Sequence, residues 1–184
     1  MYISKLFDLT LLETKYKQQA IELICYTFMA FFIPFFAGHP QLFVGTAVNM
    51  ALILSSVYLK RNFLLPVIFM PSIAVLSRGL IFGPFTIFLL YFIPFIWIGN
   101  LIFTIFFKGL YIKKKTNYFI TLISAGFAKA FFLFLTALIL FKLNLVPEIF
   151  LATMGILQFT TAILGGISAF AVIKSRESLL TLKK

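Results

Sequence analysis

The chain has 184 residues, of which 62% are hydrophobic and 11% charged, and its formal net charge is +11. A mean hydropathy of +1.08 excludes a soluble domain, because a chain of this size has too little interior to hide so much apolar surface. The basic excess, 16 Lys and Arg against 5 Asp and Glu, falls between hydrophobic runs, where it orients a membrane protein and does not signal nucleic acid.

Residues 1–19 carry Lys5, Asp8, Glu13, Lys15 and Lys17 and lack the basic, apolar and small-residue succession of a cleaved signal peptide. Six stretches then approach the roughly 20 apolar residues that cross a ~30 Å hydrocarbon core as a helix. They run at about 20–38, 41–59, 63–76, 80–107, 118–141 and 148–173. The third is short and interrupted by Pro66 and Pro71. The fourth is overlong, contains Pro84 and Pro94, and is expected to begin as a re-entrant piece or to kink, its helix ending near Lys108. No soluble domain or long linker remains. The predicted fold is all-α: one transmembrane domain over residues 1–184, a six-helix bundle.

Six spans with the N-terminus inside put Lys5, Lys15, Lys17, Lys60, Arg61, Lys108, Lys113, Lys114, Lys115, Lys174, Arg176, Lys183 and Lys184 on one side. Only Arg78 and Lys142 fall on the other. That asymmetry predicts cytoplasmic N- and C-termini, and an odd number of spans would scramble it.

Polar side chains inside such spans need a cavity, a neighbouring helix or a partner. Lys129 is the sharpest case, near the middle of the fifth span and out of snorkelling reach of either interface. Gln158 on the sixth span is expected at similar depth, so the two side chains can share a pocket. Asn49 on the second span, with His39, Gln41 and Arg78 near the outer mouth, extends a polar path outward. Trp97, three residues after Pro94, is a candidate pocket wall. The alternative for Lys129, Asn49 and Gln158 is purely structural, as interhelical hydrogen bonds of ~1 kcal/mol each. Small residues at Gly126 and Ala130, and at Ala162, Gly165, Gly166 and Ala169, suit close approach of helices within the chain or against a partner.

One cysteine, Cys25, and one histidine, His39, make neither a disulfide nor a conventional metal site. No metal or cofactor is expected. The chain also lacks a G-x-x-x-x-G-K-[ST] phosphate loop and any intramembrane Asp, and Glu22 and Glu148 lie near the ends of their spans, which argues against an enzyme.

Three stretches carry a family resemblance: His39-Pro40-Gln41 leading to Gly45 and Val48-Asn49; Pro71-Ser72 with Leu76-Ser77-Arg78-Gly79; and Pro94-Phe95 with Gly99-Asn100. They resemble the substrate-binding S components of energy-coupling-factor (ECF) transporters, within a less characterised subgroup. The resemblance covers roughly residues 20–107 by motif and the full length by hydropathy. The subgroup often has Thr-Gly-Pro where this chain has Val44-Gly45-Thr46, and the first span lacks an Ala-x-x-x-Ala docking sequence.

The resemblance implies a six-helix subunit of a prokaryotic cell membrane. Such a subunit captures a vitamin or similar small polar micronutrient from outside and docks on a transmembrane coupling subunit driven by two ATPase subunits. It adds Asn100 to Gln41 and Asn49 as motif residues. The competing expectation is a membrane scaffold or anchoring subunit with no small-molecule substrate.

Overall fold

The computed structural model describes residues 2–12, 15–37, 40–79 and 86–181; His39 and the 80–85 stretch with Pro84 lie outside them. Among the described residues all regular structure is helical: α1 (Tyr2–Phe7), α2 (Tyr16–Phe36), α3 (Gln41–Tyr58), α4 (Arg61–Arg78), α5 (Thr86–Phe106) with a π-helical continuation (Phe107–Lys113), α6 (Tyr118–Lys142), α7 (Ile149–Met154) and α8 (Ile156–Thr181).

Five segments are long and apolar enough to cross a membrane: Tyr16–Phe36, Gln41–Tyr58, Ile87–Lys113, Tyr118–Lys142 and Ile149–Leu179. Their outward faces stay apolar. Ile21, Ile24 and Phe28 on α2, and Ile123, Phe127 and Ile139 on α6, are all more than half exposed. Water does not tolerate patches on that scale, and the chain is a multi-pass membrane protein. α4 falls outside the five because Arg61 and Arg78 bracket it, and Pro66 and Pro71 sit inside it. Each proline removes one backbone hydrogen bond, yet the helix runs from Arg61 to Arg78, past both ends of the expected 63–76.

Side-chain contacts fix which helix ends share a level. Arg78, at the end of α4, donates to the carbonyls of Phe35 and Phe36 at the end of α2, at 2.9 and 2.8 Å. Lys108 donates to the carbonyls of Leu59, just after α3, at 2.8 Å, and of Leu9. Arg176 pairs with Glu22 near the start of α2 at 2.6 Å. Residues 9, 22, 59, 108 and 176 therefore gather at one end of the bundle, the terminal end. The ends of α2 and α4 and the start of α3 lie at the other, the far end. α3 is the central helix, buried almost continuously from Ala51 to Leu59.

Three expectations are corrected here. The fourth helix does not end near Lys108 but continues to Lys113. Lys108 is not a solvated boundary charge: it is fully buried, and backbone carbonyls take its protons, so the chain has no reason to leave the helix there. The last span is not one continuous helix over 148–173. It breaks at Gly155 (φ −96°, ψ −98°), where a Cβ would meet the Leu151 carbonyl at 2.8 Å, and α8 then runs on to Thr181.

Arg176 is likewise no free charge. Its guanidinium lies 4.2 Å from the Tyr58 ring centroid, and the Tyr26 hydroxyl donates to the other oxygen of Glu22 at 3.2 Å. One cluster thus clamps the end of α8 to α2 and α3. Glu22→Gln is expected to lower the thermal midpoint by roughly 5 °C through loss of a charge-assisted bond. Arg176→Met should cost less on top of it than alone, since the ion pair is already weakened and the contact with Tyr58 is what remains to lose; fully additive losses would show that the pair does not couple the helices.

Candidate ligand-binding site

Small residues bring α3, α6 and α8 together. A Cβ at Gly165 would lie 2.6 Å from the Thr46 carbonyl oxygen and 2.8 Å from the Asn49 Cβ, and one at Gly45 would lie 2.7 Å from the Thr161 methyl, so α3 and α8 touch backbone to backbone. On the opposite side of α8, Gly166 faces Leu122 of α6, and Gly126 of α6 faces Ala162. The small-residue positions therefore pack helices within the chain. Their closeness also sets polar groups of the three helices within bonding distance.

Lys129 of α6, 2% exposed, donates from Nζ to Asn49 Oδ1 of α3 at 2.7 Å. Asn49 Nδ2 in turn donates to Thr161 Oγ1 of α8 at 3.1 Å, and Thr161 Oγ1 to the Gln158 carbonyl at 3.1 Å. The amine also lies 5.3 Å from the centroid of the Phe103 ring of α5, within cation–π range. A second polar group comes from α4 and α5. Asn100 Nδ2 donates to the Ile68 carbonyl at 3.1 Å, while Asn100 Oδ1 and Ser72 Oγ are buried with no hydrogen-bond partner among the described residues.

Most of these residues line one cavity of about 130 Å³, with Thr161 and Phe103 packed behind Asn49 and Lys129. Asn49, Ser72, Asn100, Lys129 and Gln158 form its polar part, and Pro34, Val44, Val48, Val75, Leu89, Ile96 and Met154 most of its apolar wall. Val44 and Val48 lie early in α3, Val75 late in α4 and Leu89 early in α5, so the cavity occupies the half of the bundle toward the far end. A small apolar chamber with a few convergent polar groups is the usual form of a ligand site, here smaller than the roughly 300–1,000 Å³ of a drug-sized pocket. Among the described residues no three His, Cys, Asp or Glu side chains gather to hold a metal.

Of the residues expected at the site, Lys129, Asn49, Gln158 and Asn100 converge on this cavity. The others do not. Arg78 caps the end of α2, completing two carbonyls that a helix terminus leaves unpaired. Trp97 packs on Phe69, ring centroids 4.8 Å apart, beside a separate apolar depression formed with Leu65 and Pro94. Gln41 is the first residue of α3 and does not line the cavity. His39 lies outside the described residues. Ser72, Phe103 and Thr161 were not foreseen at the site. Thr161 follows Gln158 by three residues, the spacing that shares a helix face, and that was its available signal.

No protein-family model, curated protein or solved structure matches the chain.

Proposed function

We propose that the protein is the substrate-binding S component of an ECF-type importer in a prokaryotic cell membrane, with six spans and both termini in the cytoplasm. The observation that carries this reading is the cavity around Lys129. A buried amine costs too much in lipid to persist without a use, and this one stands in a chamber placed toward the end opposite both termini.

α4 serves as the sixth span. Its stretch between Arg61 and Arg78 is ~24 Å long at the usual helical rise, short of the hydrocarbon core, and arginines at both ends reach the interfaces. The terminal end carries most of the basic residues, as a cytoplasmic face does. The substrate is a vitamin or comparable small polar micronutrient. A transmembrane coupling subunit and two ATPase subunits supply the power stroke, and ATP hydrolysis is theirs.

Native mass spectrometry of protein purified gently into lipid nanodiscs is the test. The expected result is a retained small molecule, bound more than tenfold more weakly by Lys129→Ala. A second reading, a membrane scaffold, draws on the Phe28, Phe32 and Phe36 ridge of α2, stacked with centroids 4.2 and 5.7 Å apart on a largely exposed helix. Recovery of a stable complex lacking both a small molecule and ATPase subunits would decide for it.

A further inference from the structure

The charge balance of the cavity says more than its existence. Four acidic residues are described. Glu22 is bound to Arg176 and Glu177 to Lys174, while Asp8 and Glu148 do not line the cavity. Among the described residues Lys129 therefore has no carboxylate partner. Of an ammonium's three donors, Asn49 takes one; the Phe103 ring faces the amine with its electron-rich π system.

A buried ammonium whose partners are all neutral is uncompensated: it gives up its proton, or an acid brought from outside supplies both the proton and the counter-charge. Two further groups refine the complement. Asn100 Oδ1 is an acceptor only, is 1% exposed as a residue, and has no donor opposite it among the described residues. Ser72 Oγ, 3% exposed as a residue, is in the same condition. Buried polar atoms left open in this way call for a partner; chloride offers Asn100 no proton, and phosphate, which does carry an O–H, offers no carbon skeleton to the apolar wall.

Resting on the importer reading above, we infer that the cavity takes an organic carboxylate bearing an O–H or N–H donor. The carboxylate meets Lys129, the donor is read by Asn100 Oδ1 with Ser72 beside it, and the carbon skeleton lies against Val48, Val75 and Ile96. A cavity of about 130 Å³ holds a compact acid or the acid end of a longer one.

The experiment is a melting-temperature series on the intact protein in nanodiscs, with lactate, 3-hydroxybutyrate and mandelate, each against its primary amide. Sodium chloride and inorganic phosphate serve as further arms. At least one acid is expected to raise the midpoint by roughly 5 °C or more at saturation, with its amide at least tenfold weaker and the inorganic ions without effect. Asn100→Leu should abolish the advantage of lactate over propionate, which lacks the donor. Amides as effective as acids, equal stabilisation by chloride or phosphate, or no response to any acid would each overturn the assignment.

The wild-type acid and amide comparison does not depend on any variant folding. A retained molecule that proves neutral or cationic by mass spectrometry would sink this inference and leave the importer reading standing; absence of any small molecule would sink both.

Discussion

Gly165→Ala is expected to lower the thermal midpoint by roughly 6–12 °C, from about 3 kcal/mol of overpacking in a chain of this length, and to abolish ligand binding with it. The added methyl would meet the Thr46 carbonyl oxygen, the Met50 backbone nitrogen and the Asn49 Cβ, all within 2.8 Å. Two of these three are backbone atoms of α3, so no rotamer change relieves the clash. α8 has to move away, and the Asn49 to Thr161 hydrogen bond spans that interface.

Gly166→Ala provides the contrast. Its methyl would come within 2.2 Å of Leu122 Cδ1, a closer approach, but the three nearest atoms all belong to one side chain. Leu122→Ala in the same chain should recover most of the stability, a strongly non-additive pair, whereas no side-chain truncation recovers Gly165→Ala. Melting curves followed by the fluorescence of Trp97, the sole tryptophan, check both. A Gly165→Ala protein as stable as wild type would refute the backbone contact between α3 and α8.

That interface marks a boundary of what a sequence discloses. Helix positions are legible wherever apolar runs meet polar breaks: the expected 41–59 and 118–141 lie within a residue or so of α3 (Gln41–Tyr58) and α6 (Tyr118–Lys142). The same rule misplaces the end of the fourth helix, because hydropathy scores Lys108 by its own cost and cannot know that the carbonyls of Leu9 and Leu59, far away in the chain, accept its protons. α1 escaped notice as well, being only six residues long.

The site divides along similar lines. Lys129 and Asn49 are conspicuous because lipid rejects them, and that penalty is a property of the residue alone. Thr161 and Ser72 carry no such signal, since a hydroxyl inside a helix commonly bonds the carbonyl one turn back, as Thr136 and Thr160 do here. Arg78 misled for the complementary reason. Its charge suggested a place on the polar path to the site, but the guanidinium is bound to the end of α2, a partner set by how α2 and α4 pack.

Asn49→Leu is expected to destabilise the protein by about 3 kcal/mol, the range for stripping the partner from a buried charged group. The substitution preserves side-chain shape but removes the acceptor that Lys129 Nζ reaches at 2.7 Å and the donor that reaches Thr161 Oγ1 at 3.1 Å. Lys129→Met should cost less: it leaves Asn49 Oδ1 without its donor, but no ionised group is stranded. The double variant separates the two roles open to this pair. With both polar groups replaced by apolar ones of similar volume, neither the amine nor its acceptor is left unmatched, and stability should return to within about 1 kcal/mol of wild type, or exceed it. If Lys129 existed to hold helices together, such a protein would keep its function along with its fold. In a binding subunit it folds, enters the membrane and retains no small molecule. Unfolding midpoints and native mass spectra of the three variants distinguish these outcomes, and a stable double variant that still carries the wild-type ligand would remove Lys129 from the site.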